Sequence, residues 1–342
     1  MGRLAMIIVI GLGVTVSIIS LSINKSKTGA VENTAGFAKY SAARNIAHTT
    51  VNMALRAIDR GDTGFVRPLR RGELVERKWE LMGGGSYLSM RANVSKDTID
   101  MVVEAFYLDT TKIMDLRLRS YPKPFPQVNA AVGLASDNIT FQMNGSPHIY
   151  GENFDMDGTP GNSAYDTIGV AVKTVAESTQ VAGYGSKISG DPQQVIIDPP
   201  EDPGLYVQEY ISGADYVFAD GSNNSGIYGS ADQPVIGYCN GRVKFGGGGK
   251  FYGVLIVNKS VEFVGTFDVY GLTLCYQANP ADSIELTSST GTPQLWGGVI
   301  MSGAGGRFIM KGTSDVRYSV EALEMAKYIG KMQAYQVLRW YE

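Results

Sequence analysis

The sequence predicts an α+β, mainly β chain: a long N-terminal helix, membrane-spanning and then amphipathic, on a four-stranded antiparallel sheet, followed by a parallel β-helix. Three observations predict it. Leu4–Ile23 is a run of twenty residues without a charge. Between residues 63 and 121, four short runs alternate apolar and polar side chains. A Tyr-Gly pair followed by an apolar run occurs at Tyr252 and again at Tyr270, eighteen residues on, and Trp296-Gly297 opens a third such run.

Residues 1–27 form the first element. A twenty-residue helix is about 30 Å long, the thickness of a bilayer's hydrocarbon core. The polar side chains in the run are Ser and Thr, whose hydroxyls can bond back to the helix backbone. Leu4, Ile7, Ile8, Ile10, Leu12, Val14, Ile18 and Leu21 are the candidate residues for helix association or membrane insertion. A cleaved signal peptide has a shorter apolar region of about 7–15 residues and a small-x-small site, which Ser20-Leu21-Ser22 matches poorly. A retained anchor is therefore predicted, with everything after Asn24 extracytoplasmic, in the periplasm or at the cell surface.

Residues 28–62 continue as a helical stem. Phe37, Tyr40, Ala47, Val51, Ala54 and Ile58 fall three, four or seven apart, on one stripe fit to pack on a sheet, although Arg44 interrupts it. Gly61 ends the helix. Residues 63–121 supply that sheet. Trp79 and Leu81, then Leu88, Met90, Ala92 and Val94, then "TIDMVVEAFYL", then Met114, Leu116 and Leu118 alternate as strands of an antiparallel meander, with a turn at Asp109-Thr110. "YPKPFPQ" places three prolines in five residues, a stiff linker over residues 122–127.

This order resembles the type IV pilin-like proteins, in particular the PilX-type minor-pilin group with a long C-terminal passenger: an apolar helix running into "AARNIAHTTVNMALRAI", then Gly-Ser-Tyr, then a four-stranded meander. The resemblance implies a helix half in the membrane and half packed on a small sheet, and assembly with other pilin-like subunits. It extends to Asn144-Gly145 through Gly158, Ile168-Gly169-Val170, Arg317–Leu323 and the closing "VLRWYE". The chain departs from the family where Glu32 is its first acidic residue, since pilins place a glutamate inside the apolar segment.

Residues 128–318 alternate apolar runs with Gly, Asn, Asp and Ser. A period near twenty, with β-branched runs and Gly/Asn turns, predicts the coils of a parallel β-helix. "NITFQMNGSPHIYGENFDMDG" and "TIGVAVKTVAESTQV" supply the first coils, and the insert "ANPADSIELTSSTGT", which stretches the third spacing to 26, falls in a loop. The period puts Cys239, Val257 and Cys275 in one column, the sulfurs two coils and about 9.6 Å apart. A disulfide needs Cα atoms within about 7 Å, so two buried thiols are predicted. Residues 319–342 cap the stack with a helix over "SVEALEMAKYIGKM", N-capped by Ser319 and ended by Gly330, and a last strand "QAYQVLRWYE".

Charge divides the chain. Residues 1–124 hold 18 Lys/Arg and 11 Asp/Glu, and the remainder 12 and 22. The acidic passenger argues against nucleic-acid binding. Two His and two Cys leave little for His-based catalysis, a metal finger or a disulfide framework. Asn153, Asp155, Asp157 and Gly158 match the first half of a calcium loop, but Ala164 stands where its bidentate Glu belongs, and a plain Asp/Gly turn explains the same residues. "KFGGGGKFYG" lacks the order of a phosphate loop, because Phe251 follows Lys250. Asp215, Asp220 and Asp232 sit in Gly/Ser-rich segments and form no acid/base pattern. The prediction is a non-enzymatic structural subunit of an extracellular filament or pilus-type machine, without a cofactor. The alternatives are a membrane-anchored, glycan-binding adhesin that does not polymerise and a polysaccharide-active enzyme.

Overall fold

The computed structural model describes residues 2–94, 97–136, 138–200, 202–277, 283–329 and 333–342, with side chains for all of these except 2–11, 63, 67, 70, 71, 122, 205 and 333. The chain is α+β with mostly strands, and it divides into two compact units: Met1–Ser120 with Tyr335–Glu342, and Tyr121–Ala334.

The first unit begins with α1 (Gly2–Asp59), a single 58-residue helix. Its C-terminal half carries Ala43, Ile46, Ala47, Val51, Ala54 and Ile58, all buried. They meet the inward side chains of β1 (Val75–Leu81), β2 (Gly84–Ala92), β3 (Thr98–Tyr107) and β4 (Thr110–Pro122), among them Leu88, Met90, Met101, Val103, Met114 and Leu116. The period of 3.6 on the helix and of 2 on the strands brings these two apolar faces together. The buried stripe begins later than its spacing predicts: Phe37 and Tyr40 are exposed, Tyr40 meeting the sheet through Lys112 at 3.0 Å, and burial starts at Ala43. Across the seam, Thr50 and Ser86 satisfy each other's buried hydroxyls at 2.6 Å.

Three features of this unit correct the sequence expectation. The sheet has five strands, not four, because the C-terminal strand Gln333–Tyr341 lies beside β4. Residues 63–71 form a helix, α2 (Thr63–Arg71), where a strand region was predicted. Asp62 caps it by accepting from the Gly64 N–H at 2.8 Å, and Gly72 closes it at φ +74°. The β3–β4 turn is Leu108-Asp109, one residue earlier than predicted, since Tyr107 pairs with Thr110.

No helix among the described residues is long and apolar enough to cross a membrane. That departs from the span predicted over residues 1–27. Leu4, Ile7, Ile8 and Ile10 lie outside the residues whose side chains are described. From Leu12 on, apolar residues are interrupted by Thr15, Ser17, Ser20, Ser22 and Asn24, then by Lys25 and Lys27.

In the second unit the chain passes back and forth between two parallel sheets. Strands Val235–Asn240, Lys250–Val257, Asp268–Tyr276 and Gln294–Ser302 lie side by side in the larger sheet, and Arg242–Phe245, Ser260–Gly265, Ile284–Gly291 and Gly306–Gly312 in the smaller. Inward residues fill the space between the sheets, with Phe245, Phe263 and Phe308 of the smaller sheet and Leu255 and Val299 of the larger in one core. The eighteen-residue echo is the pairing register: Tyr252 lies beside Tyr270 and Val257 beside Cys275. Trp296 lies beside Tyr270, as the third run predicts.

The pattern also explains the glycine in each Tyr-Gly or Trp-Gly pair. Gly253, Gly271 and Gly297 have φ of +134°, +125° and +118°. A Cβ at these positions would lie 2.0–2.1 Å from a carbonyl oxygen of the neighbouring strand. A side chain is excluded twice, by backbone conformation and by space.

A closed parallel β-helix is not what forms. Both sheets stay open, and the strand order departs from chain order. The segments predicted to be the first coils lie beyond the last one: Ile139–Gly145 pairs with Gly306–Gly312, and Ile168–Val172 pairs with Ala130–Leu134, which itself lies beside Gln294–Ser302. Only the front of "TIGVAVKTVAESTQV" is a strand, Ile168–Val172. The rest is α3 (Val175–Ala182), begun by a capping box between Thr174 and Glu177. A further helix, α4 (Gly204–Ser212), was also unforeseen.

The long insert is not simply a loop. Its residues Ile284–Gly291 are a strand, and part of the extra length is a bulge opposite Phe263/Val264, where the register shifts by one. The insert's residues 278–282 lie outside the described residues. Finally, α5 (Val320–Lys327) does not cap the last coil, whose edge is already taken by the returning strands. Ala322 and Met325 instead pack on Tyr270 and Trp296 on the outer face of the larger sheet. Ser319 does N-cap α5, accepting from the Ala322 N–H at 3.2 Å. The predicted stop, Gly330, lies outside the described residues.

Candidate functional site

The N-terminal half of α1 is the clearest unpartnered surface of its unit. Leu12, Val14, Ile18 and Leu21 are each more than half exposed, and so are Val16, Ile19 and Val31. They lie on every side of the helix, because the sequence over Leu12–Ile23 is apolar at most positions rather than on one stripe. A helix apolar all round does not stand alone in water; it is covered by other helices or by lipid. The structure thus brings four of the eight predicted assembly residues onto one exposed helical segment, and the other four fall among residues 2–11.

The second predicted site, Asn153, Asp155 and Asp157, forms a turn in which Asn153 and Asp157 each spend a side-chain oxygen on N–H groups. Asn153 is buried, and its Oδ1 accepts from the Val320 N–H at 2.9 Å, tying the turn to the start of α5. The Asp155 carbonyl accepts from the Gly158 N–H at 2.9 Å. Asp157 Oδ1 accepts from both the N–H and the hydroxyl of Thr159, at 2.9 and 2.7 Å. Those bonds hold the Asp157 carboxyl below the usual carboxylate range. Among the described residues no three His, Cys, Asp or Glu side chains gather as a metal site. The "KFGGGGKFYG" stretch is a glycine turn joining Arg242–Phe245 to Lys250–Val257.

The repeat of Tyr252, Tyr270 and Trp296 continues as a longer column of flat side chains on the outer face of the larger sheet, which the period alone does not reveal. Tyr252, Tyr270, Trp296, Arg317 and Tyr150 occupy successive register positions. The Tyr252 and Tyr270 rings stack at 4.8 Å, and Tyr270 and Trp296 at 6.0 Å. Arg317 lies 4.7 Å from the Trp296 ring centroid and 5.6 Å from that of Tyr150. Its charge is met by Asp315 at 2.9 Å. Two residues earlier on the same strands runs a polar column, Lys250, Asp268, Gln294, Asp315 and His148. Burial pushes the Asp268 carboxyl up, against the pull of Lys250. The two columns bridge strands from both ends of the unit, through ring stacking and the Arg317–Asp315 pair, while the Trp296 indole N–H and the Arg317 Nε stay without a hydrogen-bond partner. Arg317 could have been noticed in "DVRYSV", but its partner Tyr150 is remote in sequence.

The two cysteines follow the predicted column: Cys239 pairs with Val257, and Val257 with Cys275. Both are free and buried, and burial raises both thiols well above their ordinary range. Of the two histidines, His48 reaches Glu342 at 2.8 Å and stacks on Trp340, which fastens the C-terminal strand to α1.

No protein-family model matches the chain, and no curated protein matches it. Among solved structures it is similar to the competence-associated pilin ComZ from Thermus thermophilus, with 10% sequence identity, 89% of this chain and 97% of that chain covered, and a TM-score of 0.26. A superposition that loose shows neither a shared family nor a shared role.

Proposed function

We propose that the chain is a structural subunit of a pilus-type assembly, held to its neighbours through the N-terminal half of α1 and displaying its second unit of parallel sheets outside the cell. The observation that carries this is the exposed apolar segment from Leu12 to Ile23, on a helix whose other half is fixed to its own sheet. At about 25 cal/mol per Å² of apolar surface, covering several such side chains is a strong drive to associate. The sheet gives that helix a rigid base, and the parallel sheets of the second unit supply a stiff body with no role in catalysis. Insertion of the complete apolar run in a membrane before assembly belongs to the same proposal.

The test is sedimentation velocity of the full chain after detergent removal, next to a form carrying Ile18→Lys and Leu21→Lys. The proposal expects the unaltered chain to assemble and the altered chain to stay monomeric. Equal behaviour of the two would overturn it. An unaltered chain that floats with lipid vesicles but never assembles would favour the membrane-anchored adhesin instead.

A further inference from the structure

The two ends of the parallel stack are treated differently. At one end of the smaller sheet, the outer edge of Ile139–Gly145 is occupied by side chains. The Gln180 amide, oriented so that both its atoms are satisfied, donates to the Ile139 carbonyl at 2.9 Å and accepts from the Phe141 N–H at 3.2 Å, as a neighbouring strand would. Lys187 Nζ then donates to the Met143 and Gly145 carbonyls at 3.0 and 2.8 Å. Such devices keep a strand edge from recruiting another chain.

The opposite end has no such cover among the described residues. Tyr216–Ala219 pairs on one side only, with Val235–Asn240, and Asn223–Asn224 pairs only with Arg242–Phe245. Val217 and Ile227 present their side chains to solvent, at 64% and 69% exposure. Asp215, Asp220 and Asp232 are exposed on the same coil. From Ile188 to Gly241 the chain carries eight Asp/Glu and no Lys or Arg. The first unit has the opposite balance, 18 Lys/Arg against 12 Asp/Glu, whereas the second has 12 against 21.

We infer that the open end at Tyr216–Ile227 is an interaction surface whose occupant is a second copy of this chain, bound through that copy's basic helix-and-sheet unit. Charge complementarity selects the occupant: residues 188–241 carry eight acids and no cation, Lys244 and Lys250 of the adjoining strands lie beside Asn223 and Ile227, and one unit of the same chain carries the excess of cations. The exposed edge and the Val217 and Ile227 side chains supply the uncharged centre of the contact, and the three carboxylates its rim. Because the two contacting surfaces differ, the contact is heterologous and repeats from copy to copy, as a filament requires. This inference rests on the assembly proposed above and adds a second contact to the helix contact.

A mixture of isotopically heavy and light full chain, treated with a zero-length carbodiimide cross-linker and digested, tests it. Cross-links that join a heavy to a light peptide, between Asp/Glu of residues 188–241 and Lys25, Lys27, Lys39, Lys78 or Lys112, are expected. They should fall at least about tenfold in 0.5 M NaCl, where the screening length is a few Å. They should also fall in a Val217→Lys, Ile227→Lys form, both sites being solvent-facing and free of structural duty. If assemblies form through α1 but these cross-links are absent, or persist unchanged in that form, the inference fails while the assembly reading stands. If the chain is monomeric under every condition, both fail.

Discussion

The Arg317 guanidinium lies 4.7 Å from the centroid of the Trp296 indole, one register step along the outer face of the larger sheet. On its other side it faces Tyr150, a residue of the returning N-terminal strands. The column therefore clamps the place where the last coil meets the first segments of the unit. Trp296→Ala should lower the unit's stability by about 3–5 kcal/mol, the usual cost of emptying a buried aromatic site. Trp296→Phe should cost less than half as much, because it keeps a flat ring in the column and removes an indole N–H that has no hydrogen-bond partner. Denaturant unfolding of the two variants compares them.

The glycine column should tolerate no side chain. Gly271→Ala would place a methyl group 2.0 Å from the Gly253 carbonyl oxygen at φ +125°. The expected loss exceeds the roughly 1 kcal/mol of an ordinary glycine substitution and should appear as failure to reach the native far-ultraviolet spectrum. Gly221→Ala, with open space around it but φ +76°, should cost only about 1 kcal/mol.

The buried thiols make an alkaline prediction. Cys239 and Cys275 are held neutral in the folded unit by burial, above the ordinary thiol range of about 8.5 in the unfolded chain. Folded values raised above unfolded ones mean the contribution is complete below about pH 8.5 and is lost as pH rises beyond it. The denaturation midpoint should fall with pH on that side, less steeply in a Cys239→Ala, Cys275→Ala form. Iodoacetamide at pH 8 should label neither thiol until the unit unfolds.

The blocked edge makes a prediction about solubility. Gln180→Ala with Lys187→Ala removes the side chains that occupy the backbone of Ile139–Gly145. Each lost hydrogen bond should cost about 1 kcal/mol, and the freed edge should raise concentration-dependent aggregation seen by light scattering. Unchanged scattering would show that the edge needs no protection.

The C-terminal strand should be required by the first unit. Removing residues 335–342 exposes β4 as an edge and deletes Trp340 and Glu342, which hold His48 and Arg44 on α1. Hydrogen exchange should speed up in β4 and in α1 near His48, with strands of the second unit far less affected.

What the sequence made legible was local and periodic. The packing half of α1 showed in the spacing of Ala47, Val51, Ala54 and Ile58, and the register of the larger sheet in Tyr252, Tyr270 and Trp296, because identical backbone surroundings select identical residues. Cys239 and Cys275 were placed correctly by that register alone. What stayed hidden depends on closure in space. Nothing local in "NITFQMNG" says that Ile139–Gly145 will lie beside Gly306–Gly312, so the predicted first coils lie at the opposite end of the stack. Phe37 and Tyr40 continue the helical stripe but stay exposed, Tyr40 meeting Lys112 near the start of β4. Helices α2 and α3 were marked by Asp62 with Gly72 and by Thr174 with Glu177, capping signals overlooked among strand-like runs. For the candidate sites, the apolar run of α1 was evident at once, whereas the turn of Asn153, Asp155 and Asp157 looks the same in sequence whether its oxygens face a cation or its own N–H groups.

In the proposed function, the apolar half of α1 joins copies of this chain into an assembly. Electron microscopy of native material, with the chain located by an antibody against the second unit, tests it most directly. Label repeating at regular intervals along a filament is expected. Label confined to isolated particles in the membrane, with no filament under any growth condition, would contradict it.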